Sequence, residues 1–517
     1  MSNSTPPDQH TCGPTCQHES RTITAARLAH DRTRPPTLDA ALQGTSLESD
    51  FLPLDGRRVD PQRRILIRGG TILSMDPKVG DFARGDLLIE GHRIAAVQSR
   101  IEADAVILDA EGMIIIPGFC DPHIHAWQGN LARLIPDNTS SVLEESGGPM
   151  LDPHPTRSYR HVMHQIFGPA YRPQDMYAGT LMTMLAALNG GITTVCDNAH
   201  NSRSPAHSDA SIAALHDAGI RGVHAYGRPR LGEWGRQFPQ DIHRLRKSYF
   251  ASDDQLTTLR FYMLGRDNLN EMNEVLRIRR ELDLWITFDS GIGVQPIDQL
   301  YADGRFSGKE TINHGNFVPR EKMVLLAEHG AKVNVCPRIE SQFRYGDVPY
   351  QAWRDVGVKP AISNDDPATY AINMFHEMQV LYSFQRAQVH RARMRGDAEV
   401  PALVGVRDML EAATLRGAEN CGLDHKVGSL TPGKEADIVL IDARNPHLFP
   451  MHHAACTTVQ GADVGFVDSV FVAGRLMKWR GQLLGIDLPQ VMREVEASRD
   501  YLFDAVKWPL ARIDMTH

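Results

Sequence analysis

Apolar positions along this chain change rhythm twice. Short β-rich runs open the patterned part, RRILIRGGTILSMDP, GDLLIEGHRIAAVQ and AVILDAEGMIIIPG, broken by Gly, Asp and Asn turns. The same texture returns far downstream in GSLTPGKEADIVLIDA and VDSVFVAGRLMKWRGQLL. Between them, short β-rich runs alternate with helical patterns. The runs are MIIIPGFCDPHIH, ITTVCDN, IRGVHAY, LTTLRFYML, LWITFD, ETINH, AKVNVCP and KPAISND. In residues 173–189, Tyr177, Leu181, Met184, Leu185 and Leu188 recur at helical spacing, with Pro173 suited to the first turn and Gly190 or Gly191 to the end. PREKMVLLAEHG reads the same way.

Eight strand–helix repeats predict an α/β fold, a (β/α)8 TIM barrel whose chemistry sits at the C-terminal ends of its strands. The flanking runs predict a small β-sandwich domain formed from both ends of the chain. The expected division is a tail or arm over 1–61, the first part of the β domain over 62–119, the barrel over 120–425, the second β part over 426–485, and a C-terminal helix over 486–517. That helix has Val491, Val495, Leu502 and Ala505 on one face, to pack on the barrel or on a neighbouring subunit.

Composition narrows the function. A chain of 517 residues has room for a barrel of ~250–300 residues and a second domain. The net charge of −8, with acids and bases interspersed, argues against nucleic acid or an anionic membrane as partner. No apolar run approaches the ~18 residues of a membrane span, and the N-terminal stretch MSNSTPPDQHTCGPTCQHES has no apolar core of a secretory signal. Seven cysteines, odd in number and mostly in apolar runs, read as reduced thiols of a cytoplasmic protein. His10, Cys12, Cys16 and His18 offer zinc-binding groups, but nothing apolar surrounds them to fold around a site, so the segment reads as a disordered tail.

The chemistry concentrates at strand ends. In CDPHIHAW, His123 and His125 stand at i and i+2 and so face one way. The second strand ends near Asp197 and His200, the fifth in Asp289, the sixth in His314, the seventh near Arg338 and Glu340, and the eighth in Asp365 and Asp366. Two histidines with one or two carboxylates, and a position left for water, make a sound cage for a divalent ion.

PGFCDPHIH, the eight-run order and GSLTPGKEADIVLID resemble the amidohydrolase superfamily, in the branch of cytosine deaminase and the triazine hydrolases, over roughly residues 62–485. The resemblance implies a single metal ion held by two first-strand histidines, a strand-five histidine and the strand-eight aspartate, with a strand-six histidine sharing a proton with that aspartate. His123, His125, Asp365 and His314 match. Strand five departs: Asp289 stands where the family has histidine, and Ile292 where deaminases of this branch often carry a glutamate. Asp289 is then a substitute ligand, a proton carrier, or the mark of weakened metal binding. Retention of the other four groups favours the first two. LTTLRFYML has no lysine to bridge a second ion, so one ion is expected, zinc first, with iron and manganese as alternatives.

The activity this implies is metal-dependent hydrolysis of a C–N bond in a small cyclic or heteroaromatic compound, by deamination or cyclic-amide opening. Asp365, Asp289 and His314 are its catalytic groups, and His123, His125, Asp289 and Asp365 its ligands. The competitors are a lyase (hydratase or decarboxylase) on the same cage and a non-catalytic scaffold. A homodimer or higher homo-oligomer is implied by the resemblance alone. For substrate contacts, Gln128 either donates to substrate or caps a turn, and His200 either touches substrate or bonds a loop carbonyl. Arg338 and Glu340 either clamp a polar substrate or pair with each other or with nearby loops. The long connection 127–171 adds His154, His161 and His164, and the loop after strand three adds Arg228, Arg230 and Trp234 to the same rim.

Overall fold

The β-rich runs become strands where they were expected, in a computed structural model. It describes residues 42–509 except 55–58, 136–157, 253, 265–268, 290–303, 305, 317 and 344–346. The N-terminal His/Cys cluster, His154 and Ile292 lie outside the described residues.

Strands β1 (Arg64–Ile72), β2 (Phe82–Glu90), β3 (Arg93–Gln98), β4 (Val106–Asp109) and β5 (Met113–Pro117) come first. The barrel follows: β6 (Phe119–Ile124), β7 (Ile192–Ala199), β8 (Arg221–Tyr226), β9 (Thr257–Leu264), β10 (Trp285–Asp289), β11 (Glu310–Asn313), β12 (Lys332–Val335) and β13 (Ala361–Ile362). Then come β14 (Ile438–Asp442), β15 (Val467–Val472), β16 (Arg475–Trp479) and β17 (Gln482–Leu483). The two ends of the chain build one nine-stranded mixed sheet, joined where β5 pairs antiparallel with β14 and Ile115 faces Leu440. Ile65, Ile67, Leu87, Ile89, Ile115, Ile438, Leu440 and Phe471 form its core.

Strands β6 to β13 lie side by side in chain order, all parallel. Both faces of such strands are covered, which is why ITTVCDNA is buried throughout. The cylinder closes between its first and last strands: Ile124 bridges to Asp365, His125 N–H donates to the Asp365 carbonyl at 2.8 Å, and Asp365 N–H donates to the His123 carbonyl at 2.9 Å.

The helix Pro173–Asn189 starts on its proline and stops at Gly190. The C-terminal helix Leu488–Val506 packs on it, with Ser498 Oγ donating to Asp175 Oδ1 at 2.7 Å and Arg172 lying over the Tyr501 ring. The turn that follows the histidine pair also rests on this helix, glycine to glycine. A Cβ on Gly179 would stand 2.1 Å from the Trp127 carbonyl oxygen, and one on Gly129 2.3 Å from that of Gly179. Gly179→Ala is expected to cost about 1–3 kcal/mol, read as a fall in the urea midpoint, because the backbone it meets cannot give way as a side chain would. An unchanged midpoint would mean that the turn stands farther off.

At the other end of the barrel, Arg221, at the start of β8, is 1% exposed. Its guanidinium donates to Asp437 Oδ1 at 2.8 Å and Oδ2 at 3.1 Å, and to Glu435 Oε2 at 2.6 Å, just before β14. Burial works against the charged arginine, but Asp437 and Glu435 outweigh it and raise its pKa. This contact fastens the barrel to the mixed sheet. No helix among the described residues is long and apolar enough to cross a membrane.

Candidate metal centre

The strand ends converge. His123 closes the inward face of β6 and His125 follows it, with their Nε2 atoms 3.2 Å apart. Asp365 Oδ1 lies 3.4 Å from His123 Nε2 and 3.3 Å from His125 Nε2. Asp289, the last residue of β10, lies 3.8 Å from the first through Oδ1 and 3.5 Å from the second through Oδ2. His314 Nε2 stands 3.5 Å from Asp289 Oδ1 and 3.5 Å from Asp365 Oδ2. All five side chains are buried. His314 and Asp365 also share a left-handed backbone, φ 65° and 67°, which non-glycine residues seldom adopt. Each such residue costs of order 1–3 kcal/mol, and such strain collects at functional sites.

The donor set fits a divalent cation. Burial lowers the pKa of both His123 and His125, so both rings are neutral, the form that ligates. His125 Nδ1 faces the Asn198 carbonyl at 3.4 Å, which takes its N–H and leaves a lone pair on Nε2. Lone pairs from imidazole and carboxylate thus face one another in a buried cluster, an arrangement that a divalent cation would satisfy. Zinc bonds of about 2.0–2.1 Å give tetrahedral edges of about 3.3–3.4 Å. The observed N···N and N···O separations run from 3.2 to 3.8 Å. His123, His314 and Cys336 also cluster, with Cys336 Sγ 3.7 Å from His123 Nδ1, the ring nitrogen other than the one that faces His125.

Around this cage, Glu340 Oε1 lies 3.2 Å from His314 Nδ1 and accepts Cys336 N–H at 2.9 Å. A carboxylate only accepts, so Nδ1 carries the proton and His314 Nε2 is turned inward. Burial lowers the pKa of His314, but Glu340, Asp365 and Asp289 outweigh it and push it up to about 9. Asp365 is moved well upward, first by burial. Glu340→Gln is expected to lower kcat by about 10–100-fold with metal content unchanged, measured on one preparation. Equal kcat would show that His314 is oriented by something else.

The other residues singled out in the sequence divide. Gln128 Nε2 donates to the Tyr159 hydroxyl at 2.5 Å. His200 Nδ1 donates to the Asn198 carbonyl at 3.0 Å, and its ring lies 4.5 Å from that of His125. His200 therefore borders the cage, while Gln128 holds the Tyr159 hydroxyl. Glu340 reaches the cage through His314, not as a group facing outward. Arg338 is not brought to it: its guanidinium binds Glu377 Oε1, Asn364 Oδ1 and the Ala371 carbonyl, and it does not pair with Glu340. Asp197 accepts Ala126 N–H and Ser211 Oγ–H, holding the turn after the histidine pair. Asp366 accepts Thr369 N–H in a local turn.

Three contributors escaped the sequence reading. Arg230, assigned there to an outer rim, donates to Asp289 Oδ2 at 2.5 Å, and the Tyr262 hydroxyl donates to the same oxygen at 2.6 Å. Cys336 Sγ lies 3.7 Å from His123 Nδ1. Tyr262 had a usable signal, an inward polar group two residues before the end of the fourth strand. Arg230 had none, because a loop arginine can face anywhere.

Comparison with known proteins follows the geometry. Residues 114–477 match the Amidohydrolase family. A 5-methylthioadenosine/S-adenosylhomocysteine deaminase of Symbiobacterium thermophilum is 28% identical over 439 residues, covering 80% of this chain and 93% of that one. Among solved structures, an adenosine deaminase from Xanthomonas campestris with bound zinc superposes with a TM-score of 0.70 at 19% identity, over 86% of this chain and all of that one. A zinc complex of atrazine chlorohydrolase from Arthrobacter aurescens gives 0.69 at 20%, over 84% and 100%.

Proposed function

This chain belongs to the amidohydrolase family, and from that premise we propose that it hydrolyses a C–N bond of a small heteroaromatic compound, deamination first, with one divalent ion per chain. What supports this reading is the buried cluster of His123, His125 and Asp365, whose ligand atoms lie together, with Asp289 and His314 beside them. Zinc suits the nitrogen and oxygen donors and the spacing, and both solved relatives hold it. The deaminase name of the relative from Symbiobacterium thermophilum supports the reaction class. The buried free thiols of Cys120, Cys196, Cys336 and Cys421 suit the reducing cytoplasm, where we place the chain; the homo-oligomer rests on the family resemblance alone.

A bound ion supplies the Lewis acidity that makes water a competent nucleophile near neutral pH. The side chains then handle protons. Asp365 takes one from the attacking water. His314, fixed on Glu340, donates from Nε2 to the ring nitrogen that gains charge as the carbon becomes tetrahedral. Asp365 passes its proton to the amine, which leaves as ammonia. The proton shed by the new hydroxyl as the carbonyl forms restores His314.

The test is a panel of S-adenosylhomocysteine, 5′-methylthioadenosine, adenosine and a chlorotriazine, read by ammonia or chloride release and product mass. Ammonia release that chelation abolishes and zinc restores is the expected result. Loss of carbon dioxide, or addition of water without a leaving group, would replace this reading with a lyase. Purified protein that binds no ion would sink it.

A further inference from the structure

The carboxylate at position 289 does not meet the cage alone. Its Oδ2 accepts from the Tyr262 hydroxyl at 2.6 Å and from Arg230 Nη2 at 2.5 Å, and the same Nη2 reaches the Tyr262 oxygen at 2.8 Å. The triangle is built from three neighbouring parts of the barrel: Asp289 ends β10, Tyr262 lies in β9 opposite Thr287, and Arg230 comes from the connection after β8. Asp289 and Tyr262 are each 2% exposed. Arg230 keeps 16% of its side chain exposed, so its charge is only partly hydrated.

We propose that Arg230 and Tyr262 form a clamp that makes Asp289 a one-oxygen ligand and cancels its charge, so that an aspartate does the work of a neutral histidine. This rests on the cage being a metal site. Two arguments carry it. A carboxylate oxygen has two lone pairs, and the two donors occupy those of Oδ2. Oδ2 also borders His125 Nε2 at 3.5 Å, but with two donors already on it the oxygen better able to bind an ion is Oδ1, 3.8 Å from His123 and 3.5 Å from His314. The second argument is charge. Two neutral imidazoles and two carboxylates balance a divalent ion completely, whereas three imidazoles and one carboxylate leave one positive charge. The Arg230 guanidinium restores that charge from behind the ligand, drawing electron density from the carboxylate instead of from the ion. Arg230 and Tyr262 are thus positioning residues, acting through Asp289.

The experiment uses the full chain loaded with cobalt(II) in place of zinc and reads the metal directly. Wild type should take up one ion with the strong visible absorption of four-coordinate cobalt. Arg230→Met should free Oδ2 to join Oδ1 on the ion, raising the coordination number and weakening that absorption. Tyr262→Phe should do the same to a smaller extent, and it carries the test should Arg230→Met not fold. Asp289→His should bind the ion about 10–100-fold more weakly by chelator competition, because Arg230 then faces a cage without its carboxylate. The double variant Arg230→Met/Asp289→His should recover most of that loss. Unchanged spectra in Arg230→Met and Tyr262→Phe, or wild-type affinity in Asp289→His with Arg230 intact, would overturn the clamp. Absence of any bound ion in wild type would overturn the cage itself, a different failure.

Discussion

Asp365→Asn is expected to lower turnover by about 10³-fold or more, with the chain still folded. The side chain has two duties at one point. Its Oδ1 faces His123 and His125 at 3.4 and 3.3 Å, and its Oδ2 faces His314 at 3.5 Å. Asparagine keeps the shape but loses the charge that holds a cation and the basicity that takes a proton. The main chain of residue 365, which closes the cylinder, is untouched. Turnover by ammonia release and metal content by elemental analysis, on one preparation, separate the two losses. Full metal with collapsed kcat assigns the defect to proton transfer, and joint loss assigns it to ligation. Near-normal turnover would remove Asp365 from the chemistry.

The second large effect is on stability. Arg221→Met should cost about 3–5 kcal/mol, since it strands Asp437 and Glu435 without their cation in a dry contact. Asp437 also accepts Ala473 N–H, so it cannot swing out to water without breaking a second bond. The readout is the urea midpoint, with metal content as a control, because Arg221 begins β8 while the cage lies at the strands' far ends. Adding Asp437→Asn and Glu435→Gln should recover part of the loss, since the penalty comes from uncompensated charge. A midpoint equal to wild type would mean that water reaches the pair.

Period and order made the barrel legible. Runs such as ITTVCDN and LWITFD became β7 and β10 because continuous apolar strands between helical patterns have few other ways to be buried. The i, i+2 spacing of His123 and His125 fixed their common direction before any coordinates. Asp289 could be placed at a strand end for the same reason. What the chain could not disclose was the company these groups keep. Arg338 sits as close to strand seven as Glu340, yet a helical turn carries its guanidinium to Glu377 while Glu340 turns to His314. Arg230 is 59 residues from Asp289 and lies in a loop without periodicity, so only the folded chain shows them touching. Side-chain partners between elements depend on packing, and packing is not written in hydropathy.

The seam of the cylinder has a mechanical consequence. His123, His125 and Asp365 stitch the first and last strands together through their amides and carbonyls, and aim their side chains at one point. A cation held there would grip both edges of the rolled sheet like a rivet. The unfolded chain has no equivalent grip, so occupancy at 100 times Kd adds about 2.7 kcal/mol against unfolding. Stripping the ion would therefore slacken the ring first where its ends meet.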